Sequence, residues 1–89
     1  MNVIIPTSLR QHTGGLGIID VQGQCVDEAL LCLVESHPAL KPQLLDASGG
    51  LLSHVNVFVN DTNSRDLDAG ATPLAESDEI LLVPAIAGG

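Results

Sequence analysis

The stretch "HVNVFVND", residues 54–61, carries the clearest pattern in the chain. Valine occupies positions 55, 57 and 59, and asparagine or phenylalanine stands between them. Successive side chains of a strand point to opposite faces, so this alternation predicts a half-buried strand with its valines facing the core. Phe58, the chain's single aromatic residue, is then predicted on the other face of the sheet.

The segment before this strand changes to a helical period. Pro38 is expected to end the helix near His37, because a proline disfavours helical geometry in the residue before it. Cys25 stands at the N-cap position, although cysteine is a poor capping residue. The stripe that predicts the buried helix face consists of Val26, Ala29, Leu30, Leu33 and Val34, with Asp27, Glu28 and Glu35 turned away.

Two short strands are predicted near the start of the chain. "NVIIPTSL" (2–9) is rich in β-branched residues and contains a proline, which suits a first, edge-capable strand. "LGIIDVQG" (16–23) is the second strand. "RQHTGG" (10–15) is the turn between them, with Gly14 and Gly15 suited to positive φ, so the pair is expected to form a hairpin.

The last third of the chain is predicted to contain the central strand of the sheet. "NDTN" (60–63) reads as a turn, and residues 64–79 form a polar connection with room for one short strand. "EILLVPAI" (79–86) is apolar almost throughout, which suits a central position. Pro84 cannot donate to a ladder, so regular pairing is expected to fade there.

These elements predict an α+β fold in which a mixed sheet packs on one main helix. If the first and last strands lie side by side, they run parallel through a crossover, as in a β-grasp domain. The predicted division is a domain over residues 1–84 and a flexible tail over residues 85–89 that ends in Gly-Gly.

Composition narrows the class of function. The 89 residues are 45% hydrophobic and carry a net charge of −8. One domain with an aliphatic core is expected from this length. The acidity argues against nucleic acid and against a polybasic membrane contact, and it favours a partner with a basic docking face. No targeting or membrane-spanning segment is apparent, so the chain is expected to be cytoplasmic.

The chemically capable side chains do not suggest an enzyme. His12, His37 and His54 are scattered through the chain and lack the carboxylate or thiol spacing of a catalytic or metal site. Cys25 and Cys32 fall roughly 10 Å apart on the predicted helix, which is too far for a disulfide. We therefore expect reduced, structural thiols and no catalytic residue.

Phe58 has two possible roles. It can cover the back of the sheet together with Leu81 and other aliphatic side chains. It can equally form a docking patch on the uncovered face, since aromatic residues are favoured at the desolvated centres of interfaces.

The ending "VPAIAGG" (83–89) is a candidate reactive group. A Gly-Gly end is often only frayed. Here, however, the last two positions carry no side chain, so the backbone can thread a narrow cleft. The Gly89 carboxylate is ionised at neutral pH and is a poor acyl donor. Joined to AMP, it becomes a mixed anhydride that a sulfur or amine nucleophile can attack.

Three segments in order resemble the ThiS/MoaD family of ubiquitin-like sulfur carriers. They are "IPTSLRQHTGG" (5–15), "HVNVFVND" (54–61) and "ILLVPAIAGG" (80–89), and they are most similar to the cysteine-biosynthesis carrier subtype, the CysO type. The resemblance covers essentially the whole chain and implies a ubiquitin-like β-grasp fold.

The same resemblance implies a carrier that is the substrate of other enzymes. An E1-like adenylating enzyme of the MoeB/ThiF type, with ATP and magnesium bound on that enzyme, would adenylate Gly89. A sulfur donor enzyme would then convert it to a thiocarboxylate. In the cysteine subtype, a sulfur-accepting synthase uses the thiocarboxylate, and a zinc metalloprotease releases cysteine. Gly88 would give steric access, with Ala87 and Ile86 providing reach, and Phe58 and Leu81 would dock the partner.

Several alternatives stay open at this point. Relatives of the resembled family supply sulfur for molybdopterin, thiazole or a thiocarboxylate siderophore. A protein modifier that conjugates to lysines begins with the same adenylate. A plain interaction subunit, for which Gly89 is dispensable, is the third class.

Overall fold

The computed structural model describes residues 1–84, where five strands form one mixed sheet in the order β2-β1-β5-β3-β4. The predicted tail, residues 85–89, lies outside the described residues. The strands are β1 (Asn2–Ile4), β2 (Ile18–Asp20), β3 (Val55–Val59), β4 (Thr62–Asn63) and β5 (Glu79–Pro84).

Strand β5 lies at the centre of this sheet. It pairs in parallel with β1, with Ile4 opposite Leu81, and antiparallel with β3, with Phe58 opposite Leu81. Both its central position and its parallel pairing with the first strand confirm the predictions. Ile80 is fully buried and Leu82 almost so, which explains why the strand is so apolar.

Helix α1 (Val26–Ser36) covers one face of the sheet. All five residues of the predicted stripe are buried, and they join the inward valines of β3 in one core. Each fully buried aliphatic side chain contributes roughly 1.5–3 kcal/mol of transfer free energy. Burial of the stripe together with the valine face therefore contributes substantially to the stability of the domain.

The ends of α1 follow the predictions. Cys25 occupies the N-cap without a side-chain hydrogen bond, and the Glu28 carboxylate instead accepts the N–H of Gln24 at 2.9 Å. At the other end His37 is the C-cap, and its N–H donates to Leu33. A 3-10 turn over Pro38–Leu40 and helix α2 (Lys41–Leu44) follow.

The first strand is shorter than predicted. It ends at Ile4, and the chain turns at Pro6 into a 3-10 helix over Thr7–His12. Pro6 has no N–H for a ladder, but its carbonyl accepts the Leu9 N–H at 2.9 Å, and Leu9 is buried. The β1–β2 connection is thus a helical turn followed by Gly14 and Gly15, both at positive φ as predicted.

The prediction of an edge-capable first strand is also wrong. β1 has neighbours on both sides, because β2 folds back on it and β5 pairs with its other edge. Edges in this sheet belong to the short strands β2 and β4.

The predicted short strand lies earlier in the chain than expected. It is β4, within the segment predicted as a turn, whereas the polar connection contains 3-10 turns at Ser64–Asp66 and Ala69–Ala71. Asn60 adopts φ 56°, a left-handed conformation that asparagine tolerates, and the chain reverses tightly enough for Thr62 to pair with Val59.

A polar network joins this reversal to the start of β5. The Asn60 side chain donates to Asp78 at 3.1 Å and accepts the Glu79 N–H at 3.1 Å. The Asp78 carboxylate also accepts the Ala75 N–H at 2.8 Å. The hydrogen bonds from Ala75 and Asn60 hold the pKa of Asp78 below its ordinary value of 3.8.

The architecture is a ubiquitin-like β-grasp: a hairpin, a helix across the sheet, and a final strand parallel to the first. Among residues 1–84, no helix is long and apolar enough to cross a bilayer.

We predict that Asp78→Ala lowers the melting temperature by a few degrees at pH 7, because two hydrogen bonds to the carboxylate are lost. Since the folded-state pKa is depressed, this stabilisation is complete above the unfolded value of 3.8 and disappears as the pH falls through the lower folded value. The difference from the wild type should therefore shrink at acidic pH in thermal melts.

The control for this change is Glu76→Ala, which removes an exposed carboxylate for which no hydrogen bond is found within residues 1–84. An Asp78→Ala deficit that stays constant from pH 7 to pH 2, or one that Glu76→Ala reproduces, would contradict the assignment.

Candidate docking surface and C-terminal segment

The predicted reactive end and its approach, Gly89, Gly88, Ala87 and Ile86, lie outside the described residues. The structure does describe what leads to them. β5 pairs with β1 up to Leu81 and with β3 up to Pro84, which lies opposite Val55. Pairing with β3 thus extends to Pro84, the residue at which the sequence predicts that regular pairing fades. The C-terminal segment therefore begins directly at the end of the central strand.

The face of the sheet opposite α1 carries a continuous apolar row. Ile18 lies opposite Ile4, Ile4 opposite Leu81, and Leu81 opposite Phe58, so the row crosses four strands at one level. Val83 stands on the same face two residues beyond Leu81. We call Ile4, Ile18, Phe58, Leu81 and Val83 the outer row.

The outer row is accessible in the described part of the chain. Ile18 is 59% exposed, Leu81 36% and Val83 37%, while Ile4 and Phe58 are half-buried. The two predicted docking residues, Phe58 and Leu81, are therefore direct cross-strand neighbours. Phe58 covers part of the back of the sheet and still presents a surface, so both roles considered for it are compatible with its position.

Polar side chains border the outer row at the end nearest Pro84. Asn56 lies opposite Val83, and its side-chain oxygen accepts hydrogen bonds from Asn63 at 3.2 Å and from the Arg65 guanidinium. Arg65 also donates to the carbonyl of Leu52 at 3.2 Å. This corner is thus both polar and cationic.

The remaining candidate residues do not assemble into a site. Within residues 1–84, no three His, Cys, Asp or Glu side chains lie close enough together to hold a metal ion. Cys25 and Cys32 are both half-buried and free, and Cys32 packs against the core. The candidate functional feature of the described residues is therefore the outer row, which lies beside the start of the C-terminal segment.

Sequence reasoning missed three members of the outer row and Arg65. Alternation along "NVII" and "EILLVP" places Ile4 and Val83 outward, so a face could have been assigned to each strand. Their meeting in one row depends on register between strands far apart in sequence, which no local pattern encodes.

Comparison with known proteins supplies the family. The sequence model described as the ThiS family matches residues 3–89. The chain belongs to the ThiS family. This match includes the C-terminal Gly-Gly and all but the first two of the described residues.

Named relatives of this ThiS-family chain fall into two groups. The sulfur carrier protein CysO of Mycobacterium tuberculosis is 35% identical over 91 residues, which cover 100% of this chain and 98% of the relative. Small archaeal modifier protein 1 of Haloferax volcanii is 36% identical over 72 residues, covering 80% of this chain and 78% of the relative.

A solved structure supports the same relationship. A chain of the Amycolatopsis orientalis BexX/CysO complex superposes with a TM-score of 0.90 at 33% identity, covering 99% of this chain and 98% of that one. The ubiquitin-like fold is thus shared along nearly the full length.

Proposed function

We propose that this protein is a sulfur carrier whose working group is the Gly89 carboxylate. The observation that carries the proposal is a central strand, paired with β1 up to Leu81 and with β3 up to Pro84, that leads directly into a Gly-Gly end beside an exposed apolar row. The family match over residues 3–89 and the full-length similarity to a named sulfur carrier support it.

The chemistry begins with activation of the carboxylate. An ionised carboxylate resists attack by nucleophiles, so one Gly89 oxygen must first displace pyrophosphate from ATP and form an acyl-adenylate. ATP and magnesium are supplied by an E1-like partner of the MoeB/ThiF type. A sulfide ion (HS⁻) supplied by a donor enzyme then attacks the carbonyl carbon and AMP leaves with the electron pair of the acyl–oxygen bond, which yields the Gly89 thiocarboxylate and a proton.

The chain's own contribution to these steps is to present the Gly89 carboxylate to the active sites of its partners. Gly88 and Gly89 have no side chains to obstruct a narrow cleft, and Ala87 and Ile86 extend the chain toward it. The outer row would dock the adenylating enzyme, because burying exposed apolar side chains is favourable and because the row ends beside the start of the tail.

We propose that the sulfur is used to make cysteine, as in the subtype that the chain resembles. On a synthase, the thiocarboxylate sulfur would bond to the β-carbon of an activated serine, whose leaving group departs. The resulting thioester would rearrange to an amide between Gly89 and the new cysteine, and a zinc metalloprotease would hydrolyse that amide to release cysteine and the Gly89 carboxylate. The full-length similarity to CysO supports this choice over molybdopterin, thiazole or siderophore synthesis. We place the protein in the cytoplasm with these partners.

A second candidate function is protein modification. The similarity to small archaeal modifier protein 1 favours it, and both functions share the acyl-adenylate. They differ in the nucleophile, which is sulfur for a carrier and a lysine amine for a modifier. The intact mass of the protein recovered from cells separates them, because a carrier gains the difference between sulfur and oxygen, whereas a modifier is found fused to larger proteins.

We predict that deleting Gly89 abolishes acyl-adenylate formation with ATP and the cognate adenylating enzyme, while the fold is retained. The core lies within residues 3–82, so the melting temperature should stay within experimental error of the wild type. Pyrophosphate release and intact mass measure the reaction. Absence of an adenylate on the wild-type chain would overturn the sulfur-carrier proposal. Undiminished function of the deleted chain in cells would indicate an interaction subunit instead.

We predict that Phe58→Ala lowers kcat/KM for adenylation roughly tenfold through KM, since it removes the central aromatic of the outer row. Phe58 is half-buried, so the loss of stability should fall below the 3–5 kcal/mol typical of a core phenylalanine. The matched control is Leu31→Ala, which truncates a 55% exposed leucine on α1, on the other side of the domain. Equal adenylation of the two variants would exclude the outer row as the docking surface.

A further inference from the structure

Arg65 holds a positive charge over the outer face, close to the start of the tail. It lies in the 3-10 turn after β4, and its guanidinium donates to the side chain of Asn56 and to the carbonyl of Leu52. Asn56 is the cross-strand partner of Val83, the residue before Pro84. The positive charge therefore lies near the last residues of β5, just before the C-terminal segment.

The surrounding side chains fix this guanidinium in place. Asn63 accepts the Arg65 backbone N–H at 3.0 Å through its side-chain oxygen. The side-chain nitrogen of Asn63 donates to Asn56 at 3.2 Å, on the same oxygen that Arg65 contacts. An arginine held by neutral acceptors has lost part of its rotamer freedom in advance, so a partner that binds it incurs a smaller entropic cost.

The charge of Arg65 has no counter-ion among residues 1–84. The chain contains eleven acidic residues against three Lys and Arg, yet the one ion pair in the described part joins the Met1 amine to Asp20. A guanidinium has five N–H donors, and the contacts to Asn56 and Leu52 leave several of them available. These donors suit two-point binding of a carboxylate.

The opposite end of the same face is acidic. Asp20 and Glu79 lie opposite Asn2 on the outer side of the sheet, and both are exposed. Asp20 is paired with the Met1 amine, so Glu79 carries the negative charge without an ion-pair partner among residues 1–84. Glu79 and Val83 are four residues apart on β5, a separation of roughly 13 Å. The apolar outer row thus lies on a face with negative charge at one end and positive charge at the tail end.

We propose that Arg65 binds a carboxylate on the adenylating enzyme, beside the entrance through which the tail reaches the nucleotide. This inference rests on the proposed function, and it adds which chemistry the partner presents there. The contact between Arg65 and the partner carboxylate would orient the domain on its partner. A face with opposite charges at its two ends favours one docking direction over the reverse. A partner that is basic overall would thus carry an acidic residue at the tail entrance.

A protein carboxylate fits this position better than the phosphates of the nucleotide. Gly89 lies five residues beyond Pro84, and an extended segment of that length reaches roughly 16 Å. A nucleotide that meets the tip of an extended tail would be well removed from the Arg65 corner, whereas the protein surface around the cleft would contact it.

The test compares Arg65→Glu with Lys41→Glu, which makes the same charge change on α2, at the helix side of the domain. Binding of each variant to the cognate adenylating enzyme is measured by calorimetry without ATP, and adenylation is measured separately. We expect Arg65→Glu to raise Kd roughly tenfold or more and Lys41→Glu to change it less than twofold. Arg65→Lys, which keeps the charge but loses two-point binding, should fall between Arg65→Glu and the wild type.

Ionic strength gives a second readout. The difference between the wild type and Arg65→Glu should narrow as salt rises, because added ions screen an exposed charge pair. Thermal melts verify that each variant is folded, and Arg65→Gln replaces Arg65→Glu if the latter does not fold.

The outcomes separate this inference from the proposed function. Equal Kd values for Arg65→Glu and Lys41→Glu, with normal adenylation of the wild type, would overturn the role of Arg65 and leave the carrier function intact. Weaker binding of Arg65→Glu without adenylation of the wild type would support the docking role and overturn the carrier function. A similar Kd increase for both substitutions would also reject Arg65 as a specific contact, since it would reflect net charge alone.

Discussion

The pairing of β5 between β1 and β3 is the constraint on which the rest of the structure depends. A parallel neighbour on one side requires a long crossover, because two parallel strands cannot be joined by a tight turn. α1 lies within that crossover and covers one face of the sheet. Burial of Ile80 and Leu82 against the helical stripe then closes the core.

The same constraint leaves the face opposite α1 uncovered among residues 1–84. With the helix committed to one side, the outward residues of four adjacent strands meet in the outer row. β5 belongs to this row and also leads to the C-terminal segment, so under the proposed function one strand would serve both docking and presentation of the tail. A carrier built this way can present its tail without any catalytic residue of its own.

Local patterns predicted much of this architecture. The 3.6-residue stripe of α1 and the alternation of β3 each define a buried face within a single element, so both predictions are confirmed. The extent of β1 and the place of β4 were predicted wrongly. β1 ends early because Pro6 has no N–H for a ladder and the chain turns there into a 3-10 helix that buries Leu9. β4 forms because Asn60 reverses the chain tightly enough to pair Thr62 with Val59.

The sequence by itself determined the periodicities, the acidic charge, the lone aromatic residue and the Gly-Gly end, since each of these is a property of neighbouring residues. Only the tertiary structure decided which outward residues meet. Ile18, Ile4, Leu81 and Phe58 come from segments separated by up to several dozen positions, and strand register alone aligns them. The position of Arg65 beside Val83 has the same origin, because cross-strand neighbours depend on long-range hydrogen bonding that no short stretch of sequence contains.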